Sequence, residues 1–450
     1  MKLNNKQKIA FVLIDLLLIL IVLLFCFYIY NKKPEIIKYD FKDTYNEDKS
    51  LDVTLVLKTY ISKNIYCKFI TEKDESKWIS SEKGKCTYPV NTGKYTIKIK
   101  YNKDKIVEYK KDFNIDKVIS IKINEPRKYI AVGASFNINA FVDYVGDVDT
   151  SIKYSSSNPD AISINENGDV YALKDGKATI SAKTSNKLVD KFEITSTSLI
   201  RPRRLDNNKE IVSCNTYTKE QVDLLDDILK YEVDKAGSGT RAGVVAAATF
   251  LPMEFPYKIP YFYENGRLSN TERIVDGEGR WYHKGLYLGV DKQNTVKNVL
   301  SGPSSWGCSL MNWQYDSSRS PGEYYPNGFD CSGYVAWILV NGGLDPGDRG
   351  AGITDADDMT DLGELRYINY DLMHSGTVKP GDLIGWDGHI AVIAWMTDTS
   401  IYVTESLLPG VVMDEYDYSS PYSRFYSRYV YTIDMSNQYT GEGNYPDIWQ

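Results

Sequence analysis

NGFDCSGYVAWILV, at residues 327–340, is the stretch that decides how this chain is interpreted. A turn-prone Asn-Gly pair leads to Cys331, and the apolar residues after it recur at helical spacing, which predicts a buried helix. N–H groups without intrahelical acceptors and the positive end of the helix dipole favour a thiolate at that helix start. Taken alone, such a cysteine is more often a structural thiol. The pattern still makes Cys331 a candidate nucleophile.

A second stretch, KPGDLIGWDGHIAVIAW at residues 379–395, supplies a candidate base. A short loop delivers His389 to the start of an apolar run that predicts a β-strand. A histidine in that position can take the thiol proton and later return it to a leaving amine. On its own, a histidine on a strand is more often only a hydrogen-bonded residue.

The next apolar run, IYVTE, ends at Glu405 and predicts the partner strand of a hairpin. The expected turn pairs residues whose numbers sum to about 796, so that Ala391 faces Glu405. Glu405 would then share the face of His389 and orient its ring. A register shifted by one residue would instead bring Thr404 or Ser406 to that place.

Together, FDCSGYV, the KPGDLI strand and GHIAVI resemble the NlpC-type cysteine peptidases, which are papain-like endopeptidases of bacterial cell walls. The likeness is clear from Asn327 to about Leu408 and looser in the helical region before it. It implies cleavage of peptidoglycan stem peptides, commonly between γ-D-glutamate and the diamino acid. By motif match Cys331 is the nucleophile, His389 the base and Glu405 the third catalytic residue. The family usually places His, Asn or Gln third, so Glu405 is a departure.

The same resemblance implies three substrate-binding residues. Asp330 and Ser332 match substrate-contacting positions beside the nucleophile, and helix capping is the alternative role for both. Tyr261, in IPYFYENGR, matches a family tyrosine that precedes the nucleophile. An insertion of about 60 residues separates the two elements here, which departs from the family pattern. The backbone N–H of Cys331 is the natural donor to an oxyanion.

Residues 154–185, YSSSNPDAISINENGDVYALKDGKATISAKTS, contain short strands separated by NG and DG turn signals. The stretch closely resembles the second half of a group 2 bacterial immunoglobulin-like domain, in which Gly168 closes a hairpin and Gly176 precedes the last strands. The likeness covers roughly 80 residues. It implies an Ig-like domain at 119–199 that serves as an extracytoplasmic stalk or adhesive module.

The remaining segments follow from composition and periodicity. Short alternating runs at 31–118 predict a β-sandwich stalk domain, and the polar, Pro-containing stretch 200–214 suits a linker. The last domain, 215–450, opens with an amphipathic helix at 218–235, capped by its first residue, and a more buried helix at 241–250.

Residues 9–30, IAFVLIDLLLILIVLLFCFYIY, form an apolar run of 22 residues. As a helix, a run of this length spans a hydrocarbon core of roughly 30 Å. The long apolar run without a small-residue cleavage site predicts an uncleaved anchor rather than a signal peptide. Lysines flank it on both sides, so charge alone does not decide its orientation. The apparent chemistry favours a cytoplasmic tail at 1–8, a single membrane pass and the bulk of the chain outside, at the cell wall.

The net charge of −7 hides an asymmetry between the two halves of the chain. Residues 1–214 carry 36 Lys and Arg against 27 Asp and Glu, whereas residues 215–450 carry 17 against 33. A basic stalk is attracted to an anionic membrane or to anionic wall polymers, and an acidic C-terminal domain argues against nucleic acid as a partner. Solubility alone is an equally good interpretation.

Six cysteines are few for a disulfide framework, although two bridges are possible outside the cytoplasm. They would join Cys67 to Cys86 and Cys214 to Cys308, which leaves Cys331 unpaired. Buried, reduced thiols are the alternative.

No metal or cofactor is expected. His283 and His374 lack companions at zinc-like spacing. Trp281, Trp306 and Trp313, with the tyrosines around them, suit either a glycan or peptide groove or ordinary packing.

The predicted fold is therefore multidomain: a transmembrane helix, two all-β immunoglobulin-like sandwiches and a C-terminal α+β papain-like domain. The predicted function is a peptidoglycan hydrolase that works through a thioester. Two rivals remain open. One is an amidase or acyl-transferase on the same fold, and the other is a non-catalytic cell-wall adhesin or scaffold; a secreted toxin is disfavoured by the anchor.

Overall fold

The computed structural model describes residues 5–59, 64–102, 104–262, 284–289, 305–311, 323–347, 349–351, 358–386, 388–427 and 429–446. The chain divides into two compact units. The first consists of Met1–Asn124, Asn139–Lys153 and Ala182–Asp190, and the second of Glu125–Ile138, Tyr154–Ser181 and Lys191–Gln450.

Helix α1 spans Asn5–Asn31 and contains the predicted apolar run. Within it, Lys8–Asn31 is long and apolar enough to cross a membrane, and none of its most apolar window is buried by the protein. An N-terminal signal sequence has the same length and composition, so the helix fits either a membrane anchor or a signal sequence.

The rest of the first unit is built on a β-sandwich, as predicted for 31–118. Its strands are β1 (Glu35–Phe41), β2 (Leu51–Lys58), β3 (Tyr66–Ile70), β4 (Ile79–Ser80), β5 (Lys85–Val90), β6 (Gly93–Tyr101) and β7 (Lys105–Phe113). They form two sheets, in the orders β1-β2-β5 and β4-β3-β6-β7. Every second residue of β6 is buried, as in a strand with one face on the core. A disulfide between Cys67 on β3 and Cys86 on β5 joins the sheets.

The predicted Ig-like region is also a set of short strands. They are β8 (Lys117–Ile123), β9 (Tyr129–Ala131), β10 (Ser135–Asn137), β11 (Ala140–Val145), β12 (Ile152–Ser156), β13 (Ile162–Ile164), β14 (Asp169–Ala172), β15 (Gly176–Thr184) and β16 (Val189–Thr197). Strand β8 pairs with β11 in the first unit, and β16 pairs in parallel with β9 in the second. Gly168 closes the β13–β14 hairpin with a φ of +83°, and a Cβ there would lie 2.4 Å from the carbonyl oxygen of Ile138. That turn therefore requires glycine.

The C-terminal part of the second unit combines helices with one large antiparallel sheet. The helices are α2 (Lys219–Ala236), α3 (Arg241–Thr249), α4 (Cys331–Asn341) and α5 (Tyr370–His374), with a π-helical turn at Phe250–Glu254 and 3₁₀ turns at Met359–Leu362, Arg424–Ser427 and Ser436–Gln438. The strands are β17 (Ser309–Met311), β18 (Tyr324–Pro326), β19 (Glu364–Tyr367), β20 (Leu383–Trp386), β21 (His389–Met396), β22 (Ser400–Leu407), β23 (Gly410–Asp417) and β24 (Tyr431–Asp434). The large sheet has the order β19-β24-β20-β21-β22-β23, and β17 pairs with β18.

Both helices predicted at the start of this domain are confirmed. Thr218 caps α2 through a reciprocal capping box with Gln221, and the predicted apolar face of α2 is buried. Helix α3 is buried along its whole length. Helices α3 and α4 pack against one side of the sheet and α2 packs on α3, and the side chains of all three share one core with Ile390 and Val392 of β21.

A buried arginine joins α3 to the sheet and to the last residues of the domain. Arg241 Nη1 donates to Asp382 Oδ1 at 2.6 Å, and both side chains are 2% exposed. Arg241 Nη2 donates to Ser436 Oγ at 2.9 Å, and the ring of Tyr439 lies 4.8 Å from the guanidinium carbon. Asp382 also accepts the backbone N–H of Met435 at 3.1 Å. These contacts, called the Arg241 clasp below, leave neither charge without a partner.

The stretch 200–214 is not the linker that its composition suggests. It contains no helix or strand, but it belongs to the second unit and packs along it. Arg201 donates its backbone N–H to Glu254, and Lys209 Nζ donates to three carbonyls of the 251–255 turn. Cys214 forms a disulfide with Cys308, which is one of the two alternatives that the sequence left open for this pair. The polar side chains that suggested a solvated spacer are therefore used to hold the segment against the fold.

Candidate active site

Helix α4 begins at Cys331, as predicted. Asp330 is its N-cap, and the Asp330 carboxylate accepts the Gly333 N–H at 2.6 Å and the Ser332 hydroxyl at 3.2 Å. Asp330 therefore fills the capping role that was its alternative, and Ser332 does not cap the helix but donates to the cap. Substrate contact by either residue stays a prediction. Cys331 is 8% exposed. The first backbone N–H groups of a helix, its own among them, have no acceptor within the helix.

The segment before Cys331 runs against a second strand-like stretch. Tyr261 and Phe329 form a parallel β-bridge, so Tyr261 lies beside the residues that lead into Cys331. A Cβ at Gly328 would be 1.7 Å from the Pro260 carbonyl oxygen. The Asn-Gly pair thus permits a close backbone approach; the turn expected from its composition is not formed.

Two hydrogen bonds from strand β22 hold α4 and its N-terminal approach in place. The Tyr334 hydroxyl lies 3.0 Å from Thr404 Oγ1 and donates to the Ala248 carbonyl at 3.1 Å. Ser406 Oγ donates to the Phe329 carbonyl at 2.9 Å. Because Thr404 and Ser406 are both committed to these contacts, the residue between them points to the opposite face of the sheet.

That residue is Glu405, and the register that places it agrees with the prediction. Val392 pairs with Thr404, so the residue numbers sum to 796, as expected. Nearer the turn the sum changes to 797, because an irregularity between Ile393 and Trp395 inserts one residue. The bulge was not foreseen, and it lies beyond the pairs that determine the face on which Glu405 lies.

The structure brings Cys331, His389 and Glu405 together. His389 Nε2 donates to Glu405 Oε2 at 2.6 Å, and the imidazole lies within electrostatic reach of the Cys331 side chain. With Nε2 occupied by the carboxylate, Nδ1 is the ring nitrogen left to face the sulfur. The Cys331 sulfur is also 3.9 Å from the Gly388 carbonyl oxygen.

Two further residues fix this arrangement, and sequence reasoning did not identify either. The Tyr416 hydroxyl donates to the second carboxylate oxygen, Glu405 Oε1, at 2.8 Å. The Trp386 ring stacks on His389 with ring centroids 4.4 Å apart. Tyr416 on β23 pairs with Ile401 on β22, so its side chain lies on the same face of the sheet as Glu405. The register of the β22–β23 hairpin, had it been predicted, would have indicated this.

The environment of His389 favours its charged form. Burial alone would lower its pKa, but the interactions of the ring with Cys331 and Glu405 raise the pKa to about 9. Glu405 is 1% exposed, so little water screens its interaction with the ring. The imidazolium form of His389 is therefore favoured near neutral pH.

A cavity of about 590 Å³ adjoins this group on the outer face of the sheet. Its walls are mostly apolar, with Trp386 and Glu405 at the side next to the imidazole and Arg424 among the remaining lining residues. It is large enough to accept a side chain of a bound peptide.

Several sequence predictions lie outside the described residues. They concern His283, Trp281 and Trp313. Trp306 is described and is packed in the core. His374 is bonded through Nδ1 to the Tyr370 carbonyl at the end of α5. Within the described ranges, no three His, Cys, Asp or Glu side chains are grouped to hold a metal ion.

The alkaline limb of the pH–rate profile provides a test of this geometry. For the hydrolysis that the sequence predicts at Cys331 and His389, we expect kcat/KM to fall as pH rises through about 9, because His389 would then lose the proton that the leaving amine requires. Glu405→Gln keeps a hydrogen-bond acceptor but removes the charge, so this limb should move to lower pH. Stopped kinetic assays across the pH range measure both profiles.

The matched control is Glu415→Gln, an exposed carboxylate on the neighbouring strand β23. Its profile should coincide with that of the unmodified protein. An alkaline limb that stays in place in Glu405→Gln would show that the carboxylate does not set the protonation of His389.

Comparison with known proteins identifies one domain. The family model of the group 2 bacterial Ig-like domain matches residues 117–196, close to the 119–199 expected from the sequence. No curated protein matches this chain.

Several solved structures are similar over part of the chain. The C-terminal 282-residue fragment of intimin, in complex with the intimin-binding domain of the translocated intimin receptor, shares 15% identity over 40% of this chain and 69% of that chain, with a TM-score of 0.24. Domains 4 and 5 of the S-layer protein SbsC share 16% identity over 24% and 67%, with a TM-score of 0.18. The insect immune protein hemolin shares 13% identity over 37% and 47%, with a TM-score of 0.25. With TM-scores this low, the Ig-like assignment rests on the family model and on the strands themselves.

Proposed function

We propose that the C-terminal α+β domain is a papain-like, NlpC-type cysteine peptidase that hydrolyses the stem peptides of peptidoglycan, commonly at the γ-D-glutamyl–diamino acid bond. One observation carries the proposal. A cysteine at a helix N-terminus, an imidazole at a strand start and a buried carboxylate lie together in the order Cys331, His389, Glu405, and the last two are hydrogen-bonded. Any cysteine peptidase of this type requires that order.

The chemistry follows from the three groups. The Cys331 thiolate attacks the scissile carbonyl, and the resulting oxyanion is stabilised by the backbone N–H of Cys331 at the start of α4. When the carbon–nitrogen bond breaks, protonated His389 gives its proton to the leaving amine, which leaves a thioester. Neutral His389 then takes a proton from water, the hydroxide displaces the sulfur, and the acid product departs. Glu405 keeps the ring oriented and stabilises its charged form throughout.

The state of the other cysteines supports a catalytic role for Cys331. Four of the six cysteines are paired in two disulfides, and only Cys26 and Cys331 are unpaired. Disulfides of this kind persist in oxidising compartments outside the cytoplasm. A thiol left unpaired there, within electrostatic reach of an imidazole, fits a nucleophile better than a structural residue.

The same features support a location at the cell wall. Helix α1 is suited to a single membrane pass, and the family-matched Ig-like domain suits a stalk that leads from the membrane. In the proposed topology the bulk of the chain is extracytoplasmic, with peptidoglycan as substrate and anionic wall polymers as a further partner of the basic N-terminal half. The chemistry assigned to Cys331, His389 and Glu405 is metal-free and needs no organic cofactor.

The experiment that tests the proposal is digestion of defined muropeptides by the full-length protein in detergent, with products read by mass spectrometry. We expect one new amino terminus on the diamino acid and one new carboxyl terminus on glutamate. A new terminus at the sugar–peptide amide would assign an amidase, and a product joined to an added amine would assign an acyl-transferase.

A non-catalytic adhesin is the remaining rival, since the Ig-like domain by itself suits binding. A thiol-reactive probe separates the two, because a thiolate is alkylated far faster than a thiol. Preferential labelling of Cys331 at neutral pH is expected. Absence of both labelling and cleavage would overturn the proposed function.

A further inference from the structure

A second cavity, of about 610 Å³, lies within the second unit, away from Cys331, His389 and Glu405. It is lined by the β9 region, by α2, by residues around Arg203 and by the last described residues of the chain. Its charged lining residues, apart from Arg201, are Glu125, Arg127, Arg203, Glu232, Lys235 and Glu254. None of the residues assigned to the proposed catalytic site contributes to it.

Only one of the two terminal nitrogens of Arg203 has a hydrogen-bond partner among the described residues. Its Nη2 donates to Glu254 Oε1 at 2.5 Å, and both side chains are about nine-tenths buried, with 10% exposed. Its Nη1 is also buried, and among the described residues it has no hydrogen-bond partner. A buried donor without an acceptor is costly, and native folds rarely keep one without a functional reason. Arg203 Nη1 thus indicates that a ligand supplies an acceptor there.

The charges of the cavity point to a neutral ligand. Three cationic side chains stand against three carboxylates in the lining. Arg201 is not counted among them, because its guanidinium already donates to Asp206 and to backbone carbonyls. Burial and the neighbouring Glu254 raise the pKa of Glu232 to about 7, so a part of the Glu232 population is protonated near neutral pH and can itself donate a hydrogen bond. A charged ligand would meet repulsion from one set or the other, whereas a ligand with many neutral donors and acceptors would meet none.

Aromatic side chains provide the apolar part of the site. Tyr129, Tyr231 and Tyr445 all line the cavity, and the first two pack edge to face with ring centroids 5.6 Å apart. The Tyr231 hydroxyl accepts the Lys128 N–H at 3.1 Å, which fixes its ring. Rigid tyrosines that combine an apolar face with a polar edge suit the C–H faces and hydroxyls of a sugar ring.

We propose that this cavity binds a neutral sugar that carries hydroxyl and N-acetyl groups, with an acetamido carbonyl accepting from Arg203 Nη1 and hydroxyls donating to the cavity carboxylates. The glycan strand of the cell wall presents these groups, and its identification as the source rests on the proposed function. The site would hold the glycan while the cysteine site, elsewhere in the unit, acts on the peptide.

The test is calorimetric titration of the full-length Cys331→Ala protein in detergent with N,N′-diacetylchitobiose. Working in that variant separates binding from hydrolysis, so the inference can stand or fall apart from the proposed function. We expect saturable binding with a Kd of about 1 mM or lower, and weaker binding of cellobiose, which has the same rings without acetamido groups. Equal binding of the two sugars, or none of either, would overturn the proposal.

Arg203→Gln should weaken binding of the diacetyl sugar by about tenfold or more, since one donor and its charge are lost. The matched control is Arg204→Gln, because Arg204 is the adjacent residue, is 69% exposed at its side chain and does not line the cavity. Ala134→Phe fills the cavity without disturbing the Arg203–Glu254 pair and should also abolish binding. Unchanged affinity in a folded Arg203→Gln or Ala134→Phe protein would refute the site.

Peptide-free glycan strands purified from murein should compete with the diacetyl sugar for the same site. Failure to compete, with binding of the small sugar intact, would reject the cell wall as the source of the ligand.

Discussion

Cys331→Ala should lose at least about 10⁴-fold in kcat for stem-peptide hydrolysis, because no other group in the proposed site can form the thioester. The residual rate would come from substrate binding and the oxyanion donor alone. The substitution removes one sulfur from a residue that caps no helix and bridges no sheets, so the free energy of unfolding should change by about 1 kcal/mol or less. Muropeptide turnover and circular dichroism measure the two effects.

Cys26→Ala is the matched control, since Cys26 is the other unpaired cysteine and lies in α1. That variant should digest murein at the unmodified rate and still be labelled at Cys331. Full lytic activity in Cys331→Ala would rule out the mechanism.

Arg241→Ala should lower the free energy of unfolding of the second unit by about 3 to 5 kcal/mol, because Asp382 would remain buried without its counter-charge. The Arg241 clasp also holds Ser436 and the ring of Tyr439, so these contacts are lost in the same variant. Denaturant unfolding followed by tryptophan fluorescence reports this unit, since seven of the eight tryptophans lie in residues 215–450.

The double variant Arg241→Met/Asp382→Leu separates charge from packing. It should be more stable than Arg241→Ala, because no unpaired charge is left in the interior. Arg204→Ala, at an exposed side chain, should change the free energy of unfolding by about 0.5 kcal/mol or less. A loss in Arg241→Ala no larger than in Arg204→Ala would contradict a structural role for the clasp.

Local sequence patterns predicted the elements of the candidate site well. The spacing of the apolar residues after Cys331 predicted a buried helix that starts there. The turn before β14 requires Gly168, the residue to which the family resemblance assigned the closing of that hairpin. The position of Glu405 depended on one hairpin register. Alternation along the strand made that register predictable, because a shift by one residue would have placed Glu405 among the apolar side chains under α4.

Features that depend on distant partners could not be predicted. The segment 200–214 has the composition of a linker, and only the carbonyls of the 251–255 turn, more than 40 residues away, explain why Lys209 is held there. The Tyr416 bond to Glu405 requires the register of a second hairpin. A glycine is needed at position 328 because the backbone of Pro260 lies against it. No local sequence pattern reveals that contact.

The stacking of Trp386 on His389 gives the proposed enzyme an internal optical reporter. An excited indole in van der Waals contact with an imidazolium loses light emission by passing an electron to the charged ring, and a neutral imidazole quenches it far less. The brightness of this one tryptophan therefore follows the charge of the base itself. Protonation and deprotonation of His389 during each turnover would therefore change the fluorescence of Trp386, without any added dye.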